Sequence, residues 1–330
     1  MRGAPLKNVF GVTLFAALAA AAPLFAQSTT DGPTNRPNDP AAPTVTAPPP
    51  AATQPRIFRS ELRMSVITFS NFFQVPDEQE RERVNAAITQ YRAYVKPWKA
   101  QPLEFFGHVD FQRYINIQRE NSYGGGVGVT YNGERHQGTA FLDRGENRAA
   151  FDIGDQTAIA NVTVYGIDYS FRATKNWELE LDWSNELQRF SVQTGNENDY
   201  RAIGVGTRYR GFGYKFSPRV GYVMTERESR SEADSFEGNY WYVGFVSAPH
   251  PRVYLSLAYR DHVREYGINN PASPNFNRRD DRGQIVFAGV VRLTDHLGLS
   301  TYYSREAVES TRPGRDFDAD YLIVGLNYGF

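Results

Sequence analysis

In the stretch Trp177-Glu178-Leu179-Glu180-Leu181-Asp182-Trp183 every odd position is large and apolar and every even one is ionised. A strand sends successive side chains to opposite faces, so this period of two gives the segment one apolar face and one charged face. The pattern returns at Val253–Tyr259, where Val253, Leu255, Leu257 and Tyr259 alternate with Tyr254, Ser256, Ala258 and the following Arg260. It returns again over Ile285–Leu293 and Leu322–Phe330, and no run of 18 apolar residues follows Arg56. The chain is therefore read as many amphipathic strands with no spanning helix.

Strands are expected near 57–73, 83–96, 103–117, 122–132, 137–152, 157–171, 177–190, 199–211, 215–227, 236–247, 252–265, 282–293, 297–306 and 318–330. The segment Arg83-Val84-Asn85-Ala86-Ala87-Ile88 has alanines that suit a helix. Parity decides it as a strand. Connections alternate between short (172–176, 248–251, 294–296) and long (191–198, 267–281, 307–317), and an odd count would leave the termini on opposite sides of a barrel. Bacterial single-chain barrels have even counts.

The N-terminus reads differently. Arg2 and Lys7 precede an apolar stretch from Val9 to Ala22, and Leu24-Phe25-Ala26 offers a small residue for cleavage before Gln27. Residues 1–26 are thus expected to be a secretory signal peptide, too short for a membrane span. Residues 27–55 hold eight prolines among Ala, Thr, Asn and Asp, a composition that cannot bury enough apolar surface to offset its ordering entropy. They are expected to form a disordered periplasmic tether, with a periplasmic partner as the alternative role. The barrel is expected to occupy 56–330.

The chain has no cysteine, which excludes disulfides, thiolate metal sites and a cysteine nucleophile. Its 36 Lys+Arg against 37 Asp+Glu lack the basic excess of a nucleic-acid binder. An exported, cysteine-free set of amphipathic strands fits a soluble β-sandwich or a transmembrane barrel. The apolar face here carries Trp, Tyr and Phe where a sandwich core would carry Val, Ile and Leu, and the turn lengths alternate strictly. Aromatic girdles, short inner turns and long outer loops belong to a barrel in lipid. The opposite face carries Glu178, Glu180, Asp182, Glu186, Arg208, Arg210, Arg219, Arg260, His262, Arg264, Arg282 and Arg292, too many charges to bury dry. The expected fold is all-β, an antiparallel transmembrane β-barrel of 14 strands, with 12 or 16 as alternatives.

The final residues place Leu322, Val324, Leu326, Tyr328 and the terminal Phe330 on one face. This ending resembles the C-terminal signal of Gram-negative outer-membrane proteins, which implies an outer-membrane location, contact with outer-membrane lipid and lipopolysaccharide, and recognition of Phe330, Tyr328 and Leu326 by the barrel assembly machinery. The segments Thr68-Phe69-Ser70-Asn71-Phe72-Phe73-Gln74-Val75-Pro76-Asp77 and Thr174-Lys175-Asn176-Trp177-Glu178-Leu179 are similar to the β-barrel porin 2 (BBP2-like) family. That resemblance implies a fold and a location, with little chemistry.

No helix follows Gly124-Gly125-Gly126-Val127-Gly128, so this run is read as strand in which small residues make room for long inward neighbours. His250, His296 and His136 are expected in solvated turns. His108 and His262 fall on the polar face, His262 near Asp280 and Asp281 across a loop, but no Ser-containing motif completes a catalytic set. If residues 191–198 close a hairpin, Glu180 lies across from about Tyr209 and Glu178 from about Gly211, with Arg208, Arg210 and then Arg219 as polar neighbours. Acids on one strand facing guanidiniums on the next either line a pore with a transverse field or merely fill the interior. The leading expectation is a porin-like passive channel for small polar, in particular anionic, solutes. A structural or polysaccharide-export barrel and a rim-located enzyme are the alternatives. No cofactor, metal or nucleic acid is expected.

Overall fold

The computed structural model describes residues 58–70, 83–98, 101–115, 121–149, 159–190, 197–212, 215–230, 235–267, 271–272 and 275–330. The expected signal peptide, the segment 27–55, residues 56–57 and the stretch 71–77 lie outside the described residues.

Fourteen antiparallel strands close into one ring. They are β1 (Phe58–Phe69), β2 (Val84–Val95), β3 (Leu103–Tyr114), β4 (Ser122–Asn132), β5 (His136–Ala149), β6 (Ile159–Arg172), β7 (Trp177–Phe190), β8 (Glu197–Tyr209), β9 (Ser217–Ser229), β10 (Phe236–His250), β11 (Val253–Tyr266), β12 (Arg278–Arg292), β13 (Leu297–Ser310) and β14 (Phe317–Gly329). Each pairs with its sequence neighbours, and the seam is closed by β1 on β14, from Glu61↔Gly329 to Phe69↔Tyr321. The alanine-containing segment is strand β2, fully paired with β1 from Phe58↔Val95 to Phe69↔Val84. Because the count is even, both barrel termini lie at one rim. A closed ring leaves no edge strand with unpaired backbone groups.

The outer surface is an apolar belt. Leu179, Leu181, Ile203, Val205, Val243 and Ile285 stand exposed on it. At the rim that carries the termini, aromatic rings touch in a chain that runs over four strands: Trp177 to Tyr209 at 4.9 Å, Tyr209 to Phe212 at 5.4 Å, Phe212 to Phe216 at 6.1 Å and Phe216 to Phe245 at 5.0 Å. A second aromatic level includes Trp183, Tyr222, Trp241 and Tyr259, with Trp241 Nε1 donating to Asp261 at 3.0 Å. Beyond it the outward positions turn ionic, as in Arg201 beside Asp199 and Glu228, and Arg279 beside Asp281. From Leu293, just past the end of β12, to Ile285 within it the apolar belt runs roughly 27 Å along the chain, which at a tilt of about 40° is about 20 Å in height, near the band a bilayer requires.

Two expectations need correcting. Connection lengths do not alternate strictly, since 96–102 and 210–216 at the terminal rim are as long as 115–121 at the opposite end. The extra residues carry Trp98, which packs against Phe105 at 6.3 Å, and the girdle rings Phe212 and Phe216. Nor is the inner face uniformly polar. Inward from β11–β14 and β1–β3 lies an apolar sector containing Ile67, Val84, Ile88, Val286, Tyr302, Tyr321 and Ile323. The charged stretches that suggested a wholly polar interior come from the other sectors of the ring.

Candidate functional site: a charge-segregated inner wall

Side-chain parity along each strand determines what faces the interior, and ring order determines which inward charges become neighbours. On β7, Glu178, Glu180, Asp182 and Glu186 point inward while Leu179, Leu181 and Trp183 point outward. Glu178 pairs in register with Arg208 and Glu180 with Gly206. The sequence-based register was therefore three residues off, because β8 begins at Glu197 and the hairpin closes on a shorter connection than 191–198. The expected neighbours meet nonetheless. Arg208 binds Glu180 and lies 3.9 Å from Glu178; Arg210 binds Glu178; Arg219 Nη2 on β9 donates to Glu180 Oε2 at 3.1 Å. Arg210 itself sits just past β8, its amide donating to the Asn176 carbonyl at 2.6 Å. Glu186 accepts from Gln188 Nε2 at 2.6 Å.

On the far wall, Arg260, His262 and Arg264 of β11 pair with Gln284, Arg282 and Asp280 of β12. Arg260 donates to Gln284 at 2.8 Å and Arg282 to Glu306 on β13 at 3.2 Å. Residues 278–281, expected in a loop, are the start of β12, and the strand divides the two aspartates. Asp280 turns inward and accepts two hydrogen bonds from Arg278 and one from Ser310; Asp281 turns outward to Arg279. The His262 ring meets that of Tyr240 at 5.1 Å in a tilted contact, and His262 faces Arg282 in register.

Among the other inward groups, Phe236, Arg227, Asp110 and Asp143 were not singled out from the sequence, whereas His108 and the glycine run of β4 were. Phe236 lies between two guanidiniums, with Arg227 at 4.7 Å and Arg264 at 4.6 Å from its ring centre. His108 Nε2 is 3.0 Å from Asp143 Oδ1 and 3.9 Å from Asp110. A Cβ at Gly126 would fall on the Asp143 carboxylate, and one at Gly128 on the Phe106 ring, so the glycine run of β4 does make room for its long neighbours. Asp143 was illegible because its strand alternates Phe141 and Asp143 inward with Leu142 and Arg144 outward, which mixes polarity on both faces. Of the remaining histidines, His296 lies in the 293–296 turn, His250 ends β10, and His136 opens β5 with Nδ1 2.7 Å from Tyr169 Oη.

Going round the ring, the inward ionised side chains described on β3–β7 are carboxylates: Glu104, Asp110, Asp143, Asp168 and the four acids of β7, with Arg172 at the terminal rim. Those of β8–β12 are guanidiniums: Arg208, Arg219, Arg227, Arg260, Arg264, Arg278, Arg282 and Arg292, with Asp280 among them. In a ring of fourteen, β4 and β5 stand opposite β11 and β12. An acidic arc thus faces a basic arc across the interior.

Comparison with known proteins gives architecture only. No protein-family model matches the chain and no curated protein matches it in sequence, so the likeness to the β-barrel porin 2 family rests on the two short segments alone. Among solved structures it is similar to OmpT of Vibrio cholerae (10% identity, 83% of this chain and 97% of that one, TM-score 0.46), to a bacterial polysaccharide outer membrane secretin (10%, 82% and 98%, 0.48) and to the anion-selective porin from Comamonas acidovorans (9%, 83% and 98%, 0.41). These neighbours are outer-membrane barrels. No residue role or solute carries over from them at such identities.

Proposed function

We propose that the protein is an outer-membrane barrel acting as a porin-like channel for small polar solutes, with its basic arc favouring anions. The observation that carries this reading is the inner wall. A fourteen-strand ring encloses more space than its own side chains fill, since about eight strands is the size that inward side chains just pack. The wall around that space carries opposed arcs of carboxylates and guanidiniums, a charge pattern suited to guiding ions through an interior. The outward belt with its aromatic levels supports membrane insertion. The ion pairs of Glu178 and Glu180 with Arg208, Arg210 and Arg219 stiffen the wall near the terminal rim, and the concentration of guanidiniums on β9, β11 and β12 supplies the field that attracts anions.

The test is single-channel recording of the purified, folded protein in planar bilayers, with the reversal potential read in a salt gradient. The expected result is discrete conductance with anion preference. A folded barrel that passes no current, either as the mature chain or without its residues 27–57, overturns the reading.

A further inference from the structure

Arg59, Arg278 and Arg279 each close the Nε–Nη2 edge of the guanidinium on one carboxylate. The partners are Glu104 (3.3 and 2.8 Å), Asp280 (2.9 and 2.6 Å) and Asp281 (3.1 and 2.8 Å). Arg92 of β2 points inward and is 5% exposed, and its own Nε and Nη2 meet no hydrogen-bond partner among the described residues. Its Nη1 is engaged, with Tyr94 Oη at 3.4 Å. The edge left over is the planar fork that takes two oxygens of a carboxylate or phosphate at once.

Two neighbours share this part of the wall. Arg63 on β1 and Gln90 on β2 stand opposite each other in register, and Gln90 is one inward position before Arg92. Arg63 is 5% and Gln90 4% exposed. Arg63 gives Nε to Glu61 at 3.2 Å, whereas its Nη2 and Gln90 Oε1 meet no partner among the described residues. The two guanidiniums are near enough for each charge to act on the other. Positions two apart on a strand lie about 7 Å from each other, so the three groups are spaced for one small ion. Buried donors and acceptors without partners cost free energy that a fitting ligand recovers.

We propose that Arg63, Gln90 and Arg92 form a subsite for a small oxyanion that also carries a hydroxyl, the chemistry shared by hydrogen phosphate and a hydroxycarboxylate. The oxyanion takes the Arg92 fork and a further hydrogen bond from Arg63 Nη2. The hydroxyl donates to Gln90 Oε1. A bare carboxylate leaves that acceptor unmet, and a site built to bond a hydroxyl rejects the analogue that lacks it. Carboxylates stand nearby as well. Glu61 offsets one guanidinium, and Asp110, paired with Gln90 in register, lies 3.9 Å from His108 Nε2, which is 3.0 Å from Asp143. They keep the binding weak, as a site on a conduction path must be for its ion to leave. The inference rests on the channel reading only for the route by which the anion arrives.

Binding is read first, without flow, on the full mature chain folded in detergent and checked by heat-modifiable migration. Inorganic phosphate is followed by its phosphorus NMR linewidth, and glycolate and acetate by proton saturation transfer. Saturable binding is expected with phosphate or glycolate, the tighter of the two identifying the source, and binding about tenfold weaker with acetate. Arg92→Lys, which keeps the charge and loses the fork, is expected to weaken binding by about tenfold or more. Arg305→Gln, on the outer face, should leave it unchanged. Should Arg92→Lys fail to fold, Gln90→Leu replaces it and is expected to erase the preference for glycolate over acetate. No saturable binding, acetate bound as tightly as glycolate and phosphate, an Arg92→Lys variant that binds like the parent, or a Gln90→Leu variant that keeps the preference overturns the subsite. The same preparations then enter planar bilayers. Binding without current supports the subsite and sinks the channel reading; current without binding overturns the subsite and leaves the channel reading standing.

Discussion

Glu180 on β7 and Arg219 on β9 meet at 3.1 Å across a strand to which neither belongs. The strand between them, β8, presents Gly206 at that level, paired with Glu180 on one side and Gly221 on the other. A Cβ at Gly206 would stand on the Tyr242 hydroxyl and 3.5 Å from Glu180 Oε2, and Tyr242 Oη in turn lies 3.4 Å from Arg219 Nη2. Two missing side chains therefore let a carboxylate, a guanidinium and a phenol converge over a neighbour's backbone. Gly206→Leu should break this junction as effectively as removing a charge. Glu180→Gln, which leaves buried guanidiniums without their counter-charge, is expected to cost about 3–5 kcal/mol. Combining it with Arg219→Met should cost less than the two single changes added. Urea unfolding of the reconstituted barrel measures all four; strict additivity would show that the contact carries no coupling.

The face assignment is tested separately. Leu181 and Leu257 point outward and Asp182 points inward beside Leu181. Leu181→Arg and Leu257→Arg are each expected to destabilise the barrel by about 2–4 kcal/mol if the site lies near the bilayer centre. Phe287→Arg, outward on the neighbouring strand β12, should behave alike, whereas Asp182→Arg should be much milder. Equal losses at positions 181 and 182 would mean the two faces are wrongly assigned.

Selectivity follows from the two arcs. Replacing Arg260 and Arg264 together by Ser should move the reversal potential toward cations, and replacing Asp110 and Asp143 by Asn should move it toward anions. Both shifts should shrink as salt rises, since screening acts over about 10 Å at 0.1 M. Shifts of the same sign from the two pairs, or none in a conducting protein, would remove the basis for anion preference.

The seam makes the last residue structural. The Phe330 amide donates to the Ser60 carbonyl at 2.9 Å, and its ring meets Tyr328 at 4.9 Å, so Phe330 extends the β1–β14 closure at the rim where β1 begins. Deleting Phe330 should lower the folded fraction, measured by heat-modifiable migration of the outer-membrane fraction. An undiminished yield would show that closure does not need it.

Strand number, face and order were legible in the sequence because a half-exposed strand must alternate, and an even ring of hairpins follows from alternation plus parity. Trp177–Trp183 and Val253–Arg260 show this plainly: each residue's side is decided by its own position in the repeat. Register was not legible. A period of two repeats itself every second residue, and the connection that fixes the offset between Glu180 and Gly206 leaves no such pattern. The division of Asp280 from Asp281 likewise waited on where β12 begins. Segregation of charge into two arcs belongs to the ring alone, since it depends on which of fourteen strands stand opposite. His108 with Asp143, and Phe236 between Arg227 and Arg264, join residues distant in sequence or obscured by mixed polarity, and only closure of the sheet brings them within reach. The sequence by itself determined the local period and therefore the inside and outside of the clearly alternating strands such as β7 and β11; the tertiary structure decided the neighbours, because hydrogen-bond register and ring closure are relations between strands that no single strand encodes.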